Sequence, residues 1–364
     1  MSVLAEAALA EVLHEIALGA GEREQAPVPA FPHRAFDALG HAGVLAWGVQ
    51  AGAHRPPAGE ELALVRRVAA ADGSVGRILD GHLNALERLA VQAPPEVRER
   101  ELDAVLRRGL RAGVWGADPV GEEGEPAAVH AAPGGLVLRG VKVFCSGAGG
   151  LQRALVLARD AASDGPPLAA WVDVGDRDLV EVDPTWFRGA GLRASVSHRV
   201  VFHDASVIAL LGGPGALSEQ PWFARDALRT AASWAGMADT AAAAALHELA
   251  ARPPRGQLEE LAAGRIATAQ RTIDLWVREA ARAMDAARDD DAIRPLRAIS
   301  VHARDAIASA CRALLDEAAR ACGSRPFATA GSLDRARRDL ELFLLQHRLD
   351  PLLARAGAER LDGR

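Results

Sequence analysis

The sequence predicts an α+β protein of three domains: an N-terminal helical domain (residues 1–112), a middle β-barrel domain (113–216) and a C-terminal four-helix-bundle domain (217–364). Two observations predict this order. Apolar residues recur at the spacing of an amphipathic helix in both terminal regions. In the middle region they form short alternating runs broken by Gly, Pro and Asp, which is typical of a small barrel or sandwich. A length of 364 residues supplies enough apolar side chains for two or three cores.

In the N-terminal domain, proline-containing loops separate the helical runs. Glu60 to Ala71 is expected to form one helix. Asp72 or Ser74 is expected to cap the next helix, because a short polar side chain can accept a hydrogen bond from the first free backbone N–H groups. That second helix carries His82.

Five runs in the middle domain have the composition and alternation of β-strands. They are residues 136–138, 141–144, 154–158, 168–174 and 198–202.

The C-terminal domain is expected to contain four helices joined by short loops, the pattern of an antiparallel bundle. They run from Pro221 to about Arg252, from Gln257 to about Ala287, from Ala292 to Cys322, and from Ser332 to His347. In the last helix Ser332 is expected to be the side-chain N-cap. At about 100° per residue, Asp339, Phe343 and His347 are expected to share one mostly buried stripe.

Composition excludes several classes of protein. The net charge of −6 and the scattered arginines argue against a nucleic-acid-binding surface. The three cysteines form no CxxC pair, so neither a disulfide framework nor a zinc site is indicated, and a reducing cytoplasm is expected. The first twenty residues contain no Lys or Arg, unlike a signal or transit peptide. The most apolar stretch, 230–249, is interrupted by charged residues, and no membrane span is expected.

The familiar catalytic motifs are also missing from the sequence. The glycine-rich stretch 146–152 lacks the last glycine of a dinucleotide-binding turn and leads toward a strand. There is no phosphate-binding GxxxxGK[ST] loop, and Lys142 is the only lysine. His198 and His203 are predicted on opposite faces of one strand, so no metal site is expected. No GxSxG nucleophile elbow occurs.

Five stretches resemble, in order, motifs of the acyl-CoA dehydrogenase superfamily, and the resemblance covers nearly the whole chain. They are 70–76 (AADGSVG), 113–119 (GVWGADP), 140–148 (GVKVFCSGA), 191–198 (GLRASVSH) and the pair Arg338-Asp339. The resemblance implies the helical, β and helical-bundle architecture already predicted. It also implies a flavin cofactor, FAD in the dehydrogenases.

The resemblance assigns four residues to flavin binding. In the family's Gly-x-Lys-x-aromatic-x-Ser/Thr strand the hydroxyl lies against flavin N5 and the aromatic ring lies beside the isoalloxazine, which implies Ser146 and Phe144 here. Trp115 and Ala117 belong to the loop that contacts the flavin, and Ala117 replaces a residue that commonly bears a hydroxyl. A neutral hydroxyl can serve both redox states of N5. From residue type alone, Phe144 could instead be a core residue and Ser146 the cap of a turn.

The sequence differs from the family most clearly at the position of the catalytic base. The dehydrogenases commonly place a Glu on the last helix, and the corresponding position here is His347. Neutral imidazole is a competent base but becomes cationic when it accepts the proton. Some family members use an acid from the first bundle helix, where Asp226 is the nearest candidate. The alternatives are a core histidine at 347 and a first-turn carboxylate at 226 favoured by the helix dipole.

The sequence also resembles a second group of proteins with this fold, through a different set of residues. The flavin-dependent monooxygenases take reduced flavin from a reductase and stabilise a C4a-(hydro)peroxide with hydrogen-bond donors. His82, Ser146 and His347 would be the matching residues here. For His82, an interhelix hydrogen bond is the competing interpretation.

The elements that hold the FAD pyrophosphate in the family are only loosely matched. Residues 252–256 stand where an Arg-x-x-Phe-Gly element is expected, and residues 321–324 stand where a Gly-Gly turn is expected. Weak, exchangeable binding of FAD or FMN follows.

The sequence therefore predicts a flavin-dependent oxidoreductase of acyl-CoA dehydrogenase type with a His in place of the usual Glu. Its alternatives are a reduced-flavin-dependent monooxygenase and a non-catalytic scaffold of the same fold. The expected partners are a small-molecule or acyl-thioester substrate and a flavin reductase or electron-transfer protein. A homodimer or homotetramer is expected through the bundle.

Overall fold

The computed structural model of the protein describes residues 6–49, 55–252, 254, 256–329, 331–346 and 348–362. The described residues before the first strand contain five α-helices. They are α1 (Glu6–Gln25), α2 (His33–His41), α3 (Ala58–Ala71), α4 (Gly73–Gln92) and α5 (Pro95–Arg108). The helix expected over 60–71 is confirmed as α3, and the helix carrying His82 is confirmed as α4.

Asp72 separates α3 from α4 and caps the second helix. Its extended backbone ends α3, and its Oδ1 accepts a hydrogen bond from the N–H of Val75 at 3.1 Å. The two helices are close together because Gly76 has no side chain: a Cβ there would lie 2.5 Å from the Cα of Ala69. Of the two predicted caps, the structure selects Asp72.

Seven strands follow in the part of the chain that the structure describes, and five of them close into a ring. They are β1 (Ala112–Trp115), β2 (Ala128–Ala132), β3 (Gly135–Cys145), β4 (Arg153–Asp160), β5 (Ser163–Asp173), β6 (Val180–Asp183) and β7 (His198–Leu210). Around the ring β4 pairs with β2, β2 with β3, β3 with β7, β7 with β5 and β5 with β4. This closure confirms the predicted barrel. Strand β1 runs parallel to β4, and β6 lies antiparallel along β7.

Six further α-helices lie between Trp222 and Leu361 in the described residues. They are α6 (Trp222–Ala250), α7 (Gln257–Ala286), α8 (Asp290–Cys322), α9 (Arg325–Ala328), α10 (Ser332–Leu344) and α11 (Asp350–Leu361). The bundle of α6, α7, α8 and α10 is confirmed. Gly323 is the C-cap of α8, at φ +72° and ψ −167°, a backbone conformation that glycine adopts readily.

Two expectations about α10 are wrong. Ser332 is its first helical residue and not its N-cap, which is Gly331, and no side chain caps this end. The helix ends at Leu344 with Leu345 as its C-cap, earlier than position 347. His347, expected beside Phe343 on this helix, lies outside the described residues.

Small residues let α6 approach its neighbours closely. Its buried face is rich in alanine, and a Cβ on Gly236 would lie 2.0 Å from the backbone oxygen of Arg66 on α3. Helix α6 thus connects the N-terminal helices to the rest of the bundle. None of the described helices combines the length and the apolar character needed to cross a bilayer.

Candidate functional site

Phe144 is an exposed aromatic residue in a strained backbone conformation. The register between β3 and β7 shifts between Lys142 and Cys145, and within this irregularity Phe144 adopts φ +53°. Its side chain is 55 % exposed. Trp186 contacts it edge-on, with ring centroids 4.9 Å apart and an interplanar angle of 83°. Such strain persists only where surrounding structure maintains it, and it is concentrated at functional sites.

The loop after β1 is fixed to the strand that carries Phe144. Lys142 is 1 % exposed, and its Nζ donates to Asp118 Oδ1 at 2.7 Å and to the backbone oxygen of Gly116 at 3.1 Å. The N–H of Val143 donates to the backbone oxygen of Ala117 at 3.1 Å. The chain's only lysine therefore holds this loop beside the turn at Phe144.

Ser146 begins a chain of buried hydroxyl groups. Its Oγ lies 2.8 Å from Ser197 Oγ, which lies 2.8 Å from Ser195 Oγ. We refer to these three residues as the serine chain. The indole Nε1 of Trp115 donates to the backbone oxygen of Ser146 at 3.0 Å.

The loop that carries Ser195 and Ser197 is itself strained. Leu192 and Val196, neither of them glycine, adopt φ +54° and φ +42°. The backbone N–H of Leu192 donates to Asp339 Oδ1 on α10 at 2.5 Å. The Arg193 side chain donates to the backbone oxygens of Glu24 and Ala26. Helix α10 and the end of α1 thus hold the loop in place.

Glycine permits the contact between this loop and α10. A Cβ on Gly191 would lie 2.1 Å from the backbone oxygen of Arg338, so another residue would separate the two backbones. The motif pair Arg338-Asp339 therefore joins the bundle to the β domain.

Asp339 is buried at this contact, with 3 % exposure. Burial raises the pKa of its carboxyl to about 7, against the lowering effect of the Leu192 N–H. The carboxylates of Glu24 and Asp72 also raise it.

His82 is fully buried, and both of its ring nitrogens contact backbone groups. Its Nε2 lies 2.8 Å from the oxygen of Leu45, and its Nδ1 accepts from the N–H of Ala112 at 3.0 Å. These partners require the neutral tautomer with hydrogen on Nε2. Burial lowers the pKa of His82 to about 4. The geometry favours a structural hydrogen-bonding role for His82, which joins α4 to strand β1 and to the backbone at Leu45.

Asp226 lies in a buried network of charged groups. Its carboxylate contacts Arg88 at 2.6 Å and Arg229 at 3.2 Å. Arg229 also pairs with Glu61 at 2.7 Å and with Glu87 at 2.8 Å. Burial raises the pKa of Asp226 to about 6, while the two guanidinium groups lower it. The carboxylate therefore joins α6 to α4 through Arg88.

The remaining predicted residues divide into two groups. Trp115 is buried and faces Ser146 with its indole N–H, so it positions the serine and does not present a ring surface. Ala117 is exposed in the loop held by Lys142. His347 lies outside the described residues. The structure thus brings together Phe144, Ser146 and the 115–117 loop, and it places His82 and Asp226 in separate contacts.

Arg252 stands where the family's pyrophosphate-binding arginine is expected. Its guanidinium donates to the backbone oxygens of Ala321 and Cys322, the last residues of α8. It closes that helix end and is not oriented as a free phosphate ligand.

The residues at the β3 turn fit a flavin ring. Phe144 offers an exposed aromatic face, and Ser146 supplies a hydroxyl two residues later. The adjacent loop at 116–118 is rigidly attached to the same strand. An aromatic surface beside a buried hydroxyl matches the apolar ring and the polar N5 of an isoalloxazine.

Sequence reasoning did not assign Trp186, Ser195 or Ser197 to the site. The stretch 191–198 contains both serines, and the alternation Ser-x-Ser before a strand was the available signal. Trp186 follows a turn at Asp183 and carries no motif. Its position became evident only from its contact with Phe144.

The fold is that of the acyl-CoA dehydrogenases, as the motif order predicted. A solved structure of a probable acyl-CoA dehydrogenase from Mycobacterium abscessus matches with a TM-score of 0.79 and 19 % identity, over 98 % of this chain and 97 % of that one. No model of a known protein family matches the sequence.

Higher similarity is found to a particular solved protein of this fold. TdsC from Paenibacillus sp. A11-2, in complex with FMN and indole, matches with a TM-score of 0.86 and 22 % identity over 98 % of this chain and 97 % of that one. A dibenzothiophene monooxygenase of Mycolicibacterium goodii is 29 % identical over 170 residues. That match spans 43 % of this chain and 39 % of the relative, which is less than half of its length.

Proposed function

We propose that this protein is a flavin-dependent oxidoreductase that binds reduced FMN and acts as a monooxygenase on a small molecule. The observation that carries the proposal is the exposed, strained Phe144 directly beside the Ser146 hydroxyl. The fold shared with FMN-bound TdsC supports it.

The proposal gives distinct roles to two residues of the turn, Phe144 and Ser146, and to the neighbouring Trp186. Phe144 packs against the flavin ring, and Trp186 supports it from the side. Ser146 would hold a proton at Oγ for a hydrogen bond to N5 of the bound flavin. Bound reduced flavin would supply two electrons to O₂, so that one oxygen atom enters the substrate and the other leaves as water.

FMN is proposed over FAD because of Arg252. FAD carries a pyrophosphate that a cationic side chain would have to bind. The guanidinium of Arg252 already donates to backbone oxygens at the end of α8. The structure of TdsC with FMN agrees with this choice.

Monooxygenation is proposed over dehydrogenation because Asp226, the described candidate for a dehydrogenase base, is already used in ion pairs. Asp226 on α6 is paired with two arginines, and Glu341 on α10 is paired with Arg337 at 2.7 Å. His347 remains the proposed proton-transfer residue, from its place after Arg338-Asp339. His82 is proposed as a positioning residue for β1.

We also propose assembly through the bundle and a flavin reductase as partner. Helix α7 exposes Leu258, Leu261 and Leu275 on its outer side, an apolar surface suited to a second copy. A reductase is proposed because the reduced flavin needs an outside source of two electrons for each turnover. The three cysteines are free and buried, which fits the cytoplasm as the proposed compartment.

The test is anaerobic titration of the protein with photoreduced FMN, followed by mixing with O₂. Binding, and slower release of hydrogen peroxide than from free reduced FMN, are expected. Indole is the probe substrate, and an oxygenated product should form at the expense of peroxide. Absence of binding to both oxidised and reduced FMN would refute the proposal. Anaerobic bleaching by an acyl-CoA thioester would instead establish the dehydrogenase.

A further inference from the structure

The serine chain contains three hydroxyl groups in series, and each has one hydrogen to donate. Ser146, Ser197 and Ser195 are 7 %, 6 % and 0 % exposed, so bulk water does not compete for these bonds. The two Oγ–Oγ distances of 2.8 Å are those of good hydroxyl hydrogen bonds. Because a serine hydroxyl also accepts, the chain can be ordered in either direction.

We propose that Ser197 and Ser195 are positioning residues that set the hydrogen-bond direction of Ser146, and that the chain reverses as Ser146 changes from donor to acceptor. This inference rests on the proposed flavin site. It assigns a role to two residues beyond the hydroxyl that faces N5.

The reversal follows from counting hydrogens. When Ser146 donates toward an unprotonated N5, its oxygen can accept from Ser197, which accepts from Ser195. When N5 carries hydrogen, Ser146 must accept from it, and its own hydrogen turns to Ser197. No heavy atom has to move between the two arrangements. Hydrogen bonds in series also polarise one another, so Ser197 strengthens whichever bond Ser146 makes.

The strained loop is the second, independent observation. Leu192 and Val196 lie on either side of Ser195, and a β-branched residue such as Val196 rarely adopts positive φ. The loop is maintained by Asp339 at Leu192 and by the N–H of Gly147, which donates to the backbone oxygen of Ser195 at 2.8 Å. This strained geometry places two hydroxyls in line with Ser146, which indicates a functional requirement for them.

The experiment uses FMN labelled with ¹⁵N at N5, bound to the full chain in its oxidised and reduced states. In Ser197→Ala the oxidised N5 resonance is expected to move downfield, because a weaker hydrogen bond from Ser146 reverses the upfield shift that such a bond causes. The reduced N5 resonance is expected to shift as well. Ser195→Ala should give smaller shifts in the same directions, since it removes the more distant link.

The matched control is Ser233→Ala. Ser233 is a fully buried serine on α6 whose hydroxyl has no hydrogen-bond partner among the described residues. Its replacement is expected to leave both N5 resonances unchanged. If Ser197→Ala does not fold, the Ser195→Ala and Ser233→Ala pair decides the question.

Three results would overturn the inference: unchanged N5 resonances in the serine-chain variants, a change in only one redox state, or an equal shift in Ser233→Ala. A wild-type protein that binds no FMN would refute the proposed function instead. The two failures are therefore distinguishable.

Discussion

The backbone N–H of Leu192 donates to Oδ1 of Asp339 at 2.5 Å, across 147 positions of sequence. Leu192 is at φ +54°, so a bundle carboxyl stabilises a strained residue of the β domain. The same loop carries the two inner hydroxyls of the serine chain. Helix α10 therefore acts on the candidate site through the backbone of this loop.

Asp339→Ala is expected to lower the free energy of unfolding by about 1–3 kcal/mol, because the buried N–H of Leu192 loses its acceptor. Asp339→Asn keeps an acceptor oxygen for this N–H, so it should lower the free energy of unfolding by less. Urea unfolding of the three proteins measures the difference. Equal losses in both variants would show that the acceptor oxygen is not what matters.

The raised pKa of Asp339 predicts a pH dependence of stability. Its pKa is about 7 in the folded protein and 3.8 ordinarily, so between these values the folded state binds the extra proton. The stability that the folded protein gains from binding this proton is fully present below about pH 4 and is lost as pH rises through 7. The stability difference between wild type and Asp339→Asn should therefore fall with pH, by on the order of 1 kcal/mol per unit. Urea unfolding from pH 4.5 to 8 tests this, and a rising difference would contradict it.

Phe144→Ala is expected to weaken FMN binding about tenfold, since stacking on an aromatic ring is worth roughly 1–3 kcal/mol. The matched control is Phe223→Ala, which removes another partly exposed phenylalanine, on α6. Phe144→Gly should also bind poorly but gain about 1 kcal/mol of stability, because glycine tolerates φ +53°. Fluorescence titration and thermal unfolding give the two quantities. Unchanged affinity in both Phe144 variants would place the flavin elsewhere.

His82 is expected to stay neutral with hydrogen on Nε2 down to about pH 5, because its pKa is lowered to about 4. Ring ¹⁵N NMR of the folded protein checks this.

The contribution of neutral His82 to the stability of the fold is present above about pH 6.5 and is lost as pH falls through 4. His82→Ala should cost about 2–4 kcal/mol, since two buried backbone groups lose their partner. His203→Ala, at an exposed histidine, should change stability by less than about 0.5 kcal/mol.

Arg229→Leu is expected to cost about 3–5 kcal/mol, because it leaves the carboxylates of Glu61 and Glu87 buried without this partner. Arg337→Leu is the control. It breaks a pair with Glu341 that solvent reaches, and should cost about 1 kcal/mol or less. Urea unfolding compares them, and similar losses would mean that the buried network contributes no more than a surface pair.

The sequence by itself predicted most of the long helices and four of the seven described strands, and the family resemblance pointed to the centre of the proposed site. Prolines, glycines and the change of hydrophobic period mark the ends of α6, α7 and α8 and most of the strands, because these are local properties of the backbone. Phe144 and Ser146 were proposed as flavin contacts because they lie in one contiguous motif that resembles the family's strand.

The tertiary structure decided what lies around that turn. Ser195, Ser197, Trp186 and Asp339 reach it from separate parts of the chain, so no local pattern could reveal their distances. It also decided that Trp115 faces inward, that His82 has two backbone partners and that Asp226 is paired with arginines. Hydrogen-bond partners and burial depend on how the helices and the barrel pack, and residue type and spacing do not fix that packing.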